Sequence, residues 1–187
     1  MFDLLEDNRG ALRKSSLSNK CIMISKSLKN NLLFNLFLAL LIFLLDRFSK
    51  IYVIYLDKKL FASEIFSSKF LNIKLIWNEG IAFGLFSFNE KYFYNILTII
   101  ILAIVSIIFL MFLKSKGIKK FSLLMILGGA LGNVFDRIYY KAVPDFIDFH
   151  IGNFHWFIFN VADIFITLGV FFMIILEFID RNEEKKL

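Results

Sequence analysis

With a single cysteine, Cys21, among its 187 residues, the chain cannot close an internal disulfide. That thiol sits in a polar stretch and reads as incidental. Only two histidines are present, His150 and His155. No HExxH occurs and their spacing fits no standard zinc pattern, so no metal site and no cofactor are expected. A serine or cysteine nucleophile would need a histidine base nearby, and neither Ser87 nor Ser106 carries a local signature for one. A glycine-rich phosphate loop, internal repeats and low-complexity segments are all lacking. The first apolar run has no small-residue cleavage site and continues in a helical pattern, so it is not expected to be a cleavable leader.

Apolar surface is what the chain has in excess. Hydrophobic residues make up 58%, with 25 phenylalanines, against an ordinary ~45–50%. The excess lies in long runs, the arrangement that matters for a membrane. The net charge of +6 sits in short clusters between those runs, as in cytoplasmic loops of membrane proteins. Nucleic-acid binding is therefore not expected.

Four runs approach the ~20 residues that cross a bilayer. They cover residues 31–56, 92–113, 121–140 and 158–178, the first interrupted by Asp46, Arg47, Ser49 and Lys50. The expected fold is an all-α polytopic membrane protein of four transmembrane helices. Residues 1–30 read as a polar, disordered cytoplasmic tail, 31–180 as the membrane domain and 181–187 as a C-terminal cytoplasmic tail. Lys114, Lys116, Lys119 and Lys120 place the loop between the second and third runs inside, with both termini. Residues 57–91 and 141–157 then face outward. Within the first of these, FLNIKLIW at 70–77 partly alternates and reads as a half-buried strand, followed by a turn at Asn78-Glu79-Gly80. That pattern points to a small extracytoplasmic sheet; residues 141–157 read as a short outer loop.

A charge inside a membrane span costs at least ~2.5 kcal/mol, so it needs a partner, a wet cavity or a task. In this topology Asp46, Lys50, Asn133, Asp136, Arg137, Asp145, Asp148, Asn160 and Asp163 converge on one outer level. Asp46 and Lys50, four apart, share a helix face and can pair. Gly128 and Gly132 form a small-xxx-small pair suited to close helix packing. Asn133 and Asp136 lie on nearly one face, whereas the adjacent Asp136 and Arg137 do not face each other and must each find another partner. Asp145 follows Pro144, whose ring stiffens the backbone beside it. Asp163, with Asn160 three residues before it, has no Lys or Arg in its own half-span. Two carboxylates from different elements at one wet level are what an aspartyl protease requires. Placed close, they cannot both ionise readily, so one keeps a proton while the other activates water. Two other classes use the same residues: a proton-coupled transporter, which would spread its carboxylates through the bilayer depth, and an assembly factor in which they only join helices.

Five blocks carry a resemblance. They are Asp46-Arg-Phe-Ser-Lys50, Trp77-Asn-Glu-Gly-Ile-Ala-Phe-Gly84, Gly128-Gly-Ala-Leu-Gly-Asn-Val-Phe-Asp-Arg137, Val143-Pro-Asp-Phe-Ile-Asp148 and Phe159-Asn-Val-Ala-Asp163. In this order and at these spacings the chain resembles bacterial lipoprotein signal peptidase, signal peptidase II, from about residue 31 to 177. The resemblance implies four helices with an extracytoplasmic β-cradle and a short periplasm-side helix, in the bacterial inner membrane. It implies cleavage of diacylglyceryl-modified prolipoproteins just before the lipidated cysteine, without metal or cofactor, by a protein embedded in membrane lipid and acting as a monomer. The cyclic peptide globomycin is the family's inhibitor. On these blocks the catalytic pair falls on Asp145 and Asp163. Asn133, Arg137 and Asn160 match positions that line the site; Asp46, Lys50, Asn78, Gly80 and Ala162 match supporting positions; Asp136 matches a structural one.

Overall fold

The structure, a computed structural model, describes residues 33–60, 64–80 and 91–184. The expectations for the tail at 1–30, for Cys21 and Ser87, and for the end of the 77–84 block fall outside those residues.

Residues 33–60 form a continuous helix (α1). The polar group at 46–50 that interrupts the apolar run does not interrupt the helix. Next come strands β1 (Phe66–Ser67) and β2 (Leu71–Asn78), helices α2 (Lys91–Lys114) and α3 (Gly117–Tyr139), strands β3 (Val143–Ile151) and β4 (Phe154–Phe159), and helix α4 (Val161–Glu184). Among the described residues, three stretches are long and apolar enough to cross a membrane: Tyr94–Lys114, Gly117–Tyr139 and Val161–Asp180. The protein is thus mostly helical, with three candidate membrane helices and a small antiparallel sheet.

Two sequence expectations are corrected. Residues 141–157 are not a loop; they supply β3 and most of β4, joined through a turn at Gly152, whose φ of 59° suits a residue without Cβ. The fourth apolar run does not start a helix at 158. Ile158 and Phe159 end β4, and the helix begins after Asn160. Apolar strand passes into apolar helix with a single polar residue between them, so hydropathy alone merges the two.

The sheet order is β1-β2-β3-β4, all neighbours antiparallel. Register shifts between Ile73 and Ile76 and between Asp148 and His150 interrupt the alternation of faces. They also explain why β3 does not read cleanly as a strand in the sequence.

Within residues 38–184, α3 is the central helix. Over half of its most apolar window is buried, 56%, against 6% for α2 and 11% for α4. The other two therefore turn long apolar rows outward, as a lipid-facing helix does. Phe112, Leu123, Leu124, Ile126 and Leu127 form the apolar core, with Leu38 and Ala39 of α1 and Ile166 and Met173 of α4 packed on it. The glycines of α3 are where neighbouring helices touch its backbone. A Cβ on Gly128 would lie 2.9 Å from Ile42 of α1, and one on Gly129 would lie 2.5 Å from the Ala162 carbonyl of α4. Small residues let the helices approach that closely, and the approach brings the polar residues of three helices together.

Candidate active site

One turn beyond those glycines, four buried charges close on one another. Lys50 Nζ donates to Asp46 Oδ2 at 3.0 Å and to Asp136 Oδ2 at 2.6 Å. Arg47 donates from Nη2 to Asp136 Oδ2 at 2.6 Å and to Asp46 Oδ2 at 2.7 Å, and from Nη1 to Asp136 Oδ1. Two cations and two carboxylates balance, which makes a buried ionic group tolerable. The expected Asp46–Lys50 pair is present at 2.9 Å, and Asp136 finds its partners on α1. Arg47 was not singled out from the sequence. The signal was available, since an arginine inside an apolar run needs a partner as much as Asp46 does. Ala162, wholly buried, joins α4 to the group by donating its backbone N–H to Asp46 Oδ1 at 3.0 Å.

Asp145 and Asp163 stand apart from that tetrad, and amides hold them. Asp145 is in β3, 4% exposed. Its Oδ1 accepts from Asn160 Nδ2 at 2.6 Å and its Oδ2 from Asn78 Nδ2 at 2.9 Å. Asp163 Oδ1 accepts from Asn133 Nδ2 at 2.8 Å and Oδ2 from the Asn160 N–H at 3.1 Å. Asn160 thus touches both carboxylates. It also accepts from the Asp163 N–H at 3.1 Å, closing a capping box at the start of α4. Among the described residues no lysine or arginine forms an ion pair with either aspartate. Burial, and then the charge of Asp163, raise the Asp145 carboxyl from 3.8 to about 6, with Asn78, Asn160 and Lys50 pulling the other way.

The remaining expected residues frame this pair. Asn78 turns the chain after β2 by accepting from the Gly80 N–H at 2.9 Å, an Asx turn. Arg137 Nη2 donates to the Gly80 carbonyl at 2.8 Å, tying that turn to α3. Tyr94 of α2, unremarked in the sequence, donates from its hydroxyl to the Arg137 carbonyl at 3.1 Å.

Asp148 does not join the pair. It is buried and binds Lys74 Nζ at 2.8 Å, with His155 Nδ1 at 2.9 Å, so it pins three strands together. His150 and His155 stack with ring centroids 5.2 Å apart. Among the described residues, no three His, Cys, Asp or Glu side chains are grouped as a metal ion would need.

Chemically, the pair offers two carboxyls bridged by Asn160, with Asp145 raised toward neutrality. Such a pair can share a proton between a base and an acid.

The model of the family described as Signal peptidase (SPase) II matches residues 38–179. A lipoprotein signal peptidase of Pelagibacter ubique is 50% identical over 155 residues, 82% of this chain and 93% of that protein. One from Anaplasma marginale is 41% identical over 138 residues, 73% of this chain and 79% of the other. A bacterial membrane enzyme solved by the in meso method at 2.3 Å superposes with a TM-score of 0.64 at 30% identity, covering 82% of this chain and 92% of that one. The matched span holds α3, the sheet and both aspartates, and on that extent of likeness the chain belongs to the signal peptidase II family.

Proposed function

We propose that the protein is a membrane-embedded aspartyl endopeptidase that removes the signal peptide from diacylglyceryl-modified prolipoproteins, cutting before the lipidated cysteine. The observation that carries this reading is the sorting of the buried carboxylates. Asp46, Asp136 and Asp148 are each bound to cations, whereas among the described residues Asp145 and Asp163 are held by amide donors alone. A cation on either would fix it in the ionised state; neutral donors orient it and leave it free to exchange a proton.

On this reading the pair shares one proton at rest, burial having raised the Asp145 carboxyl to about 6. The ionised member takes a proton from the attacking water. The protonated member then gives its proton to the amine of the departing cysteine residue as the peptide bond breaks. Asn78, Asn133 and Asn160 keep both carboxyl planes fixed through the cycle, and Arg137 holds the 78–80 turn against the site.

In the same proposal α1 is the fourth membrane-spanning helix, both termini are cytoplasmic, and the sheet and the aspartates face the outer side of the bacterial inner membrane. Membrane lipid surrounds the helices. One chain supplies every residue of the site, so a monomer suffices, and globomycin competes with substrate there. The test is incubation of the purified protein with a lipidated prolipoprotein, followed by mass analysis. Release of the signal peptide before the modified cysteine, blocked by globomycin, supports the reading. An intact precursor, or cleavage elsewhere, refutes it.

A further inference from the structure

The ionic tetrad balances its own charge and so could serve only to fasten α1 to α3. One contact exceeds that need. Lys50 is wholly buried, and its three N–H groups have three acceptors: Asp46, Asp136 and Asn133 Oδ1, the last at 2.8 Å. The bond to Asn133 neutralises nothing. What it does is fix which way round the Asn133 amide sits. An asparagine side chain turned by half a rotation exchanges its oxygen and its NH2 in nearly the same space. With the oxygen on Lys50, the NH2 faces Asp163 and donates at 2.8 Å. Turned over, the amide would set its NH2 against an ammonium and its oxygen against a carboxylate, both repulsive.

We infer that Lys50 is a positioning residue for Asp163, acting through Asn133: it locks the amide so that a donor, never an acceptor, faces that carboxylate. Asp145 has a matching arrangement with a longer path. Arg137 grips the Gly80 carbonyl, the Gly80 N–H holds Asn78 Oδ1, and Asn78 Nδ2 reaches Asp145 Oδ2. Each aspartate thus receives a hydrogen bond from an asparagine whose oxygen is already engaged. A lysine suits the first position because its compact ammonium directs three donors to three separate acceptors, whereas a planar guanidinium favours paired ones such as those Arg47 gives Asp136.

The inference rests on the dyad reading, and the experiment separates the two. Lys50→Met alone leaves the tetrad with an excess negative charge and will damage folding under either view. Lys50→Met with Asp46→Asn restores balance: Arg47 keeps Asp136, and the new amide oxygen still accepts from the Ala162 N–H. Lys50→Met with Asp136→Asn is the second compensated variant. In full-length purified protein with a lipidated prolipoprotein, a compensated variant should unfold near the parent's temperature yet show kcat about 30-fold lower, with KM changed less than about threefold. Asn133→Leu, which leaves all four charges in place, should show a loss of the same size. Combining the two should cost no more than either alone. Parent-like kcat in a folded compensated variant, or losses that multiply on combination, would overturn the inference. If neither compensated variant folds, Lys50→Arg decides, because it keeps the charge balance while its planar guanidinium favours paired acceptors over a separate donor to Asn133: a loss of that size at parental abundance supports the inference, and parent-like kcat overturns it. Asp163→Asn is the control. Cleavage surviving there refutes the dyad itself, whereas cleavage abolished there but parental in the compensated variants refutes only the role of Lys50.

Discussion

Asn160 and Asp163 cap each other. The Asn160 side chain accepts from the Asp163 N–H and the Asp163 side chain accepts from the Asn160 N–H, both at 3.1 Å. The bonds that start α4 therefore also fix a carboxylate of the site, and stability and activity share two residues. They can be separated. Asn160→Ala should lose the cap, about 1 kcal/mol, together with the donor to Asp145. Asn160→Ser keeps a capping oxygen but has no amide to reach Asp145, so its unfolding temperature should return toward the parent's while kcat stays low. Thermal unfolding set beside cleavage rates decides it; recovery of both together would mean that Asn160 serves the helix alone.

For the two aspartates the isosteric changes are decisive. Asp145→Asn and Asp163→Asn should each bring cleavage below about a thousandth of the parent rate with membrane abundance retained, and the double variant should be no slower than either single one. Asp136→Asn, which weakens the hold on Lys50 and Arg47, should instead act mainly on unfolding temperature. Near-parental cleavage by either single variant of the pair would remove it from the mechanism.

Asp145 also makes stability depend on pH. Its carboxyl moves from 3.8 to about 6 on folding, so the folded protein holds that proton more tightly than the unfolded chain does. The stability it confers is complete below pH about 4 and is lost as pH rises through 6. Above that, ionising the buried carboxylate costs about 3 kcal/mol. Asp145→Asn has no such proton. Unfolding temperatures of parent and variant between pH 4 and pH 8 should show the parent losing ground by that amount; a constant difference across the range would contradict it.

Gly129 sets the distance between α3 and α4. An added Cβ would lie 2.5 Å from the Ala162 carbonyl and 2.9 Å from Ile166, and main chain cannot swing aside as a side-chain tip can. Gly129→Ala should cost about 1–3 kcal/mol. It should also lower kcat, because Asn133 rides on one helix and Asp163 on the other. Gly152→Ala, at the hairpin turn where an added Cβ meets nothing within 4 Å, should strain the turn without slowing cleavage. Equal kinetics for the two variants would show that the helix spacing is not critical.

Orientation has its own test. Reporter fusions after Lys116 and at the C-terminus should read cytoplasmic, and one at Gly152 should read extracytoplasmic. A reversed pattern would put the sheet and the aspartates on the wrong side for a secreted precursor.

The sequence exposed the site more fully than the fold around it. Asp46 and Lys50 could be paired from their spacing because a helix brings i and i+4 together whatever surrounds it. Asp136 could be recognised as needing a partner, but that partner lies 89 positions away on another helix, and no local rule reaches so far. The meeting of Asn78 with Asp145 depends on how β2 and β3 pair, and β3 itself was hidden. Its first four residues are all buried, and a bulge breaks the later alternation, so neither face reads as polar. The family blocks placed the same residues together without supplying the bonds between them.

The tetrad has a consequence for how the chain is made. Residues 46–50 leave the ribosome long before Asp136, 86 positions after Lys50. Throughout that interval Arg47 and Lys50 have one carboxylate between them, and α1 carries an uncompensated positive charge. A nascent chain stopped short of Asp136 would strand that charge. If α1 spans the membrane as proposed above, its insertion is provisional until α3 supplies Asp136.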